Sequence, residues 1–266
     1  MNRRSTAPRA WRHCFTGLAL LTMWGPSGAQ SSAAPQRSGF AAMSPQTRAM
    51  QLDDALNPAM LWVKDGQALW RRVLGQAQRS CESCHGAPAA SMRGVAARYP
   101  ALDSVAQQPV DLAGRINLCR TRNQLAPAWA REAPELLALE ALVALQSRGT
   151  ALSPPADPVL TRFRERGAAL FGQRLGQLDL SCSNCHDALV GRRLGGSVIP
   201  PADPLPYPAY RLQWQSLGSL QRRIRSCMTG VRAMPFAYGD PEMVELALYL
   251  AARAAGLALE APGVRP

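Results

Sequence analysis

The chain has 266 residues, a formal net charge of +12, 22 prolines, seven cysteines and only three histidines. That length holds two domains of ordinary size, each able to bury its own core. The cationic excess is almost all arginine and suits acidic partners or small oxyanions; with no basic run or recognition motif beside it, it points away from nucleic acid.

Residues 1–29 read as a cleaved signal peptide. Arg3, Arg4, Arg9 and Arg12 form a positive start, Cys14 to Trp24 is a short apolar run, and Ser27-Gly28-Ala29 is a small-residue cleavage site. The run is short for a bilayer span, so an uncleaved anchor is the alternative, and no later stretch reaches membrane-spanning length. Cleavage would remove His13, Cys14 and four arginines and lower the charge to +8. The mature product is expected to be soluble and periplasmic.

Residues 30–50 show no clear periodicity and read as an N-terminal arm. Residues 51–148 form a first domain, and residues 149–158, from Gly149-Thr150 to Ala156-Asp157-Pro158, are turn-rich and read as a linker. Residues 159–266 form a second domain. In the first, Ser80-Cys81-Glu82-Ser83-Cys84-His85 contains C-x-x-C-H, and in the second Ser181-Cys182-Ser183-Asn184-Cys185-His186 repeats it 101 residues later.

That pattern is the attachment site of c-type haem, with two cysteines for the vinyl groups and the histidine as proximal iron ligand. A zinc ribbon would need its two C-x-x-C pairs much closer together. Two covalently attached haem c groups are therefore expected, held by Cys81, Cys84, Cys182 and Cys185, with His85 and His186 on the irons.

The duplication is wider than the motif. Gly66 to His85 and Gly167 to His186 share ten identities in twenty positions at the offset of 101. Each half continues through Arg-Ile-x-x-Cys, at Arg115 to Cys119 and Arg223 to Cys227, into an apolar helix opened by Pro-Glu, from Pro134 to Leu145 and from Pro241 to Leu250. The fold class is mainly α: two tandem class I-like cytochrome c domains related by internal duplication, with an N-terminal arm.

With both remaining histidines used, the sixth iron ligands must be methionine, cysteine or lysine, or the positions stay open. Cys119 and Cys227 occupy equivalent places, 35 and 42 residues beyond Cys84 and Cys185. Thiolate ligation of both irons is preferred over a disulfide between them. Met234, in Met234-Pro235-Phe236, competes for the second iron; Leu125 stands at the comparable place in the first half. Arg223 lies four residues before Cys227, with Arg222, Arg225 and Arg232 nearby. Arginines beside a thiol lower its pKa and gather a dianion, although such clusters also serve as solvated faces or haem-propionate partners. Tyr207, Tyr210 and Trp214 are placed at the haem pocket or in the core.

These residues resemble the SoxA family, the dihaem cytochrome subunit of L-cysteine S-thiosulfotransferase in periplasmic thiosulfate oxidation. The resemblance runs through Met43-Ser44-Pro45 and Asn57-Pro58-Ala59, both haem motifs, Tyr207 to Trp214, Gly218 to Arg223, Gly239-Asp240-Pro241-Glu242 and Pro262-Gly263-Val264-Arg265-Pro266. It implies that Cys227 ligates the second haem, is the active-site residue and occurs as a persulfide, and that Cys119 is the thiolate of the first haem. It also implies that Arg223 and Arg193 bind thiosulfate. The implied partners are a small SoxX-type cytochrome c subunit, a SoxYZ-type carrier protein and a soluble electron-acceptor cytochrome. A thiosulfate dehydrogenase forming tetrathionate, or a plain electron-transfer cytochrome with Met234 on the second iron, are the alternative functions.

Overall fold

In the computed structural model of the chain, residues 38–266 are described; the expected signal peptide, 1–29, lies outside them. Two helical pairs dominate. Helix α1 spans Pro45–Leu52, α2 Ala59–Arg71, α3 Cys81–His85, α4 Pro88–Ser91, α5 Leu112–Cys119 and α6 Pro134–Leu145. In the second half come α7 Pro158–Gly172, α8 Cys182–His186, α9 Leu220–Gly230 and α10 Pro241–Arg253. Among the described residues no helix is long and apolar enough to cross a membrane.

Helix α2 buries Ala59, Val63, Gly66 and Trp70, one face at helical spacing, against α6, whose Leu136 to Ala144 is buried except Glu140. Helix α7 repeats this against α10, burying Leu160, Phe163, Gly167 and Phe171. The paired glycines of the duplication sit where the helices cross. A Cβ on Gly66 would lie 2.3 Å from the Ala138 carbonyl oxygen, and one on Gly167 would lie 2.1 Å from that of Glu245. Only glycine allows the backbones to approach so closely. Proline at the first turn opens α6 and α10, as expected from sequence, although α10 runs three residues past Leu250 to Arg253.

The repeated Arg-Ile-x-x-Cys segment is preceded in each half by a β-hairpin that the sequence did not announce. Strand β1 (Ala101–Asp103) pairs antiparallel with β2 (Gln108–Val110), and α5 follows with Asp111 as its N-cap. Beyond a small hairpin of β3 (Arg193–Leu194) and β4 (Ser197–Val198), the second half repeats the unit. Strand β5 (Ala209–Arg211) pairs with β6 (Ser216–Gly218), and α9 follows with Ser219 as N-cap. Here the offset is 108 residues, carrying Tyr99-Pro100-Ala101 onto Tyr207-Pro208-Ala209 and Arg115 onto Arg223. The extra seven residues fall between His186 and Tyr207, where the β3–β4 hairpin lies.

The C-terminal strand β7 (Gly263–Arg265) pairs parallel with β5 and lies against α1. The described part of the arm is thereby fastened: Ser44 caps α1, Gln51 accepts the Val264 N–H at 3.0 Å, and the Gly39 N–H reaches Asp203 at 3.0 Å. The Ser-Pro cap was its sequence signal, although eight residues are too few for periodicity to show.

Asp103 closes the first hairpin onto α5. Its buried carboxylate takes 2.7 and 2.8 Å hydrogen bonds from Arg122 and a 3.2 Å bond from Arg115. Those Arg122 bonds, with the charge of Arg115 and against the effect of burial, hold the carboxyl well below the usual range. A depressed carboxylate contributes stability above its unfolded pKa and loses it as pH falls toward the folded one. Asp103→Asn is expected to cost about 1–3 kcal/mol at pH 7. The gap between wild type and variant should close as pH drops below about 4, followed by denaturant melts across that range. An undiminished gap at low pH would assign the loss to packing.

Candidate functional site

Each haem motif is a single helical turn begun by a serine cap. Ser80 Oγ accepts the Ser83 N–H at 2.9 Å, and Ser181 accepts the Asn184 N–H while Asn184 returns a 2.9 Å bond to the Ser181 N–H. This turn places the cysteines three apart on one face, with the histidine directly after them. All six cysteines among the described residues are free thiols, so Cys119 and Cys227 are not joined in this structure. Burial, helped by the neighbouring Cys119, pushes Cys81 up to about 11. Burial and Cys227 do the same to Cys182. Each spare cysteine therefore lies beside the haem motif of its own half.

At the second motif, His186 Nδ1 lies 2.8 Å from the Pro200 carbonyl oxygen. That carbonyl can only accept, so Nδ1 carries the proton and Nε2 is left with its lone pair for a metal. On the last turns of α9, Cys227 lies close to the same imidazole. Burial pushes the Cys227 thiol up, but its interaction with His186 and the charges of Arg223 and Arg211 outweigh it, and the thiol lies below its ordinary pKa. Met234, by contrast, is 89 % exposed.

The helical phase of α9 puts Arg223 one turn before Cys227. Arg211, at the end of β5, stacks over Trp214 at 5.2 Å and is near enough for its charge to act on Tyr207 and on the same thiol. Burial lowers the Arg211 pKa and the like charge of Arg223 lowers it further, while Tyr207 and Cys227 work against both. Arg222 instead stacks on Trp214 at 4.3 Å and bonds Ser216, and Arg225 binds the Phe236 carbonyl. Arg193 is exposed on the β3–β4 hairpin, its guanidinium 3.3 Å from the Gly196 carbonyl, and no described contact brings it to Cys227.

Of the three aromatics, Tyr207 belongs to this pocket, Trp214 is flanked by Arg211 and Arg222, and Tyr210 turns to Trp62 of α2 at 6.0 Å. The sequence reading missed Arg211. Its signal was the repeated Tyr-Pro-Ala, which places residue 211 opposite residue 103.

The first site is differently surrounded. Cys119 ends α5 and is followed by one π-helical turn, Arg120–Gln124, from which the Asn123 amide approaches the Cys119 sulfur at 3.6 Å. Arg120 is buried over the Trp129 ring at 3.3 Å. His85 is exposed, its ring 5.8 Å from that of Trp70, whose indole N–H holds the Gly86 carbonyl at 2.8 Å.

The donor sets suit c-type haem. Both motifs offer two free thiols and an adjacent imidazole, and in the second a soft sulfur donor already faces that imidazole. Exposed Leu178, Leu189, Val190 and Leu194 flank the second motif in sequence as apolar surface.

The SoxA/TsdA cytochrome c domain matches the chain twice, over residues 65–152 and 166–259. The L-cysteine S-thiosulfotransferase subunit SoxA of Rhodovulum sulfidophilum is 36 % identical over 86 % of this chain and 80 % of its own length. The protein of the same description from Pseudaminobacter salicylatoxidans is 34 % identical over 86 % of this chain and 80 % of its own. The crystal structure of SoxXA from P. pantotrophus superposes with a TM-score of 0.83 at 31 % identity, covering 87 % of both chains.

Proposed function

This chain belongs to the SoxA family of cytochromes c, and on that footing we propose that its second haem site joins thiosulfate oxidatively to a cysteine of a carrier protein. Its cofactor is haem c, and its activity that of the SoxA subunit of L-cysteine S-thiosulfotransferase. The observation that carries the reading is the Cys227 thiol, held against His186 with Arg223 one turn away. Neither a tetrathionate-forming dehydrogenase nor a plain electron shuttle is favoured by the relatives.

The residues divide the work as follows. Cys81, Cys84 and His85 hold one haem in the half 51–148, and Cys182, Cys185 and His186 the other in the half 159–266, with Cys119 and Cys227 as the thiolate ligands. When bound, haem c takes up electrons singly and passes them on. Arg223 binds the sulfonate end of thiosulfate through charge-assisted hydrogen bonds, and Arg193, on its exposed hairpin, is the further cation that the family resemblance assigns to the substrate.

Cys227 couples oxidatively to the sulfane sulfur, forming an S–S bond as the thiol gives up one proton and the two sulfurs give up two electrons, which bound haem c would accept one at a time. The carrier thiolate then attacks that sulfane sulfur and displaces the Cys227 thiolate, a thiol–disulfide exchange that leaves the carrier with the S–SO3 group. Overall, a carrier thiol and thiosulfate give the carrier S-thiosulfonate, one proton and two electrons.

A SoxX-type cytochrome c subunit is the stable partner, in line with the SoxXA structure that this chain resembles. A SoxYZ-type carrier and a soluble acceptor cytochrome meet it transiently in the periplasm, after removal of residues 1–29. Arg223→Ala should lower thiosulfate conjugation by about 10- to 200-fold, the worth of one charge-assisted contact of about 1.5–3 kcal/mol. The assay is the mass of the carrier after timed incubation with thiosulfate. An unchanged rate would remove Arg223 from the substrate.

A further inference from the structure

The two halves of the chain carry the same hairpin and helix, so the first serves as an internal reference for the second. In both, an arginine stands one turn before the spare cysteine: Arg115 before Cys119 on α5, Arg223 before Cys227 on α9. In the first half Arg115 bonds Asp103, the last residue of β1, at 3.2 Å, and Arg122 holds the same carboxylate. The Arg115 cation is thereby paired with a carboxylate inside the protein, one it shares with Arg122.

The last residue of β5, at the same place in the second hairpin, is Arg211. An acid facing an arginine has become an arginine facing an arginine. No carboxylate pairs with Arg211 or Arg223 among the described residues, and Arg211 Nε is buried with no partner of its own. Two guanidinium groups brought together beside a thiol repel each other unless an anion lies between them.

We propose that Arg211 is the second guanidinium of the oxyanion site at Cys227, binding the sulfonate end of thiosulfate together with Arg223. The exchange of Asp103 for Arg211 between the repeats is then what opens the second haem site to a dianion and leaves the first closed. Two planar forks match a tetrahedral group with three equivalent oxygens and a dianionic total charge. The Trp214 ring packs on the Arg211 side chain, at 5.2 Å from its guanidinium carbon. A haem propionate offers the same oxyanion chemistry, and the test separates it from thiosulfate. The proposal rests on Cys227 being the thiol that receives thiosulfate.

The experiment uses the dihaem protein in complex with its small cytochrome partner, with three replacements: Arg211→Gln, Arg211→Lys and Arg211→Asp. Three quantities are read: KM for thiosulfate in carrier conjugation, the thiosulfate concentration that half-perturbs the second haem's spectrum without carrier, and that haem's reduction potential. Arg211→Gln is expected to raise the first two by about 10- to 200-fold and to leave the potential in place. Arg211→Lys should keep part of the affinity, since it retains charge without the fork. Arg211→Asp copies the first repeat, whose equivalent hairpin already carries an aspartate there, and should abolish thiosulfate binding while both haems stay attached.

Unchanged KM and spectral titration in Arg211→Gln would overturn the proposal. A shifted potential at unchanged KM would overturn it too, giving Arg211 to a haem propionate. Full conjugation by Cys227→Ala would instead overturn the reading of the site on which the proposal stands, and that variant is run alongside so the two failures are told apart.

Discussion

Cys227→Ala is expected to lose thiosulfate conjugation by at least ~10³-fold, the scale on which removing a covalent nucleophile acts, while retaining two covalent haems. The cysteines proposed for haem attachment, Cys81, Cys84, Cys182 and Cys185, are all on the single-turn helices α3 and α8, and neither helix depends on α9 for its cap. The thiol lies near His186 and within the field of Arg211 and Arg223, so its loss removes a nucleophile from cationic surroundings without leaving a buried anion unpaired. Electron paramagnetic resonance should show the second ferric haem losing its thiolate-type low-spin signal while the first keeps it. A far-red methionine–iron charge-transfer band in the wild-type second haem would hand the ligand role to Met234. Conjugation persisting at near-normal rate in the variant would make Cys227 a bystander and restore the electron-shuttle reading.

Gly167→Val should be among the most damaging single changes to the fold outside the haem ligands. Its first side-chain carbon would lie 2.1 Å from the Glu245 carbonyl oxygen and 2.9 Å from the Tyr249 Cβ, and both sit on the facing helix α10. A carbonyl of a buried helix cannot rotate away, so α7 and α10 must separate and open the core that contains Leu160, Phe163 and Leu248. Overpacking of this kind costs about 3 kcal/mol, which for a chain of this size lowers Tm by roughly 6–12 °C. Gly172, at the end of the same helix, has nothing within 4 Å of an added Cβ. Gly172→Ala is the control, expected to leave Tm level or slightly raised because alanine favours helix. Thermal melts followed by circular dichroism compare the two; equal melting temperatures would show that the crossing does not need glycine.

What could be read from sequence followed from how local each signal was. The haem motifs, Pro134 and Pro241 as helix starts, and the glycine-bearing helices α2 and α7 are short contiguous patterns, and α6 and α10 begin where they were placed. Pairing of α2 with α6 was not written in either helix, but both carry a buried apolar face and the duplication supplies the second copy. Arg211 was missed because its meaning is relational. The hairpin registers Asp103↔Gln108 and Arg211↔Ser216 show that an acid and an arginine occupy one position, which in the sequence is marked by no more than the repeated Tyr-Pro-Ala. The seven-residue insertion around β3 and β4 shifts the offset from 101 to 108 and hides that alignment from a fixed-offset comparison. Arg193 falls inside that insertion, where no counterpart in the first half guides its placement.

The central claim is that sulfur from thiosulfate passes through Cys227, and peptide mass spectrometry tests it most directly. The dihaem protein, fully oxidised and without carrier, is exposed to thiosulfate, digested, and the peptide holding Cys227 weighed. The account expects added sulfur on Cys227, removed when reduced carrier is supplied and absent when Arg223 is replaced by alanine at low thiosulfate. An unmodified Cys227 peptide in a preparation that still conjugates its carrier at full rate would contradict it.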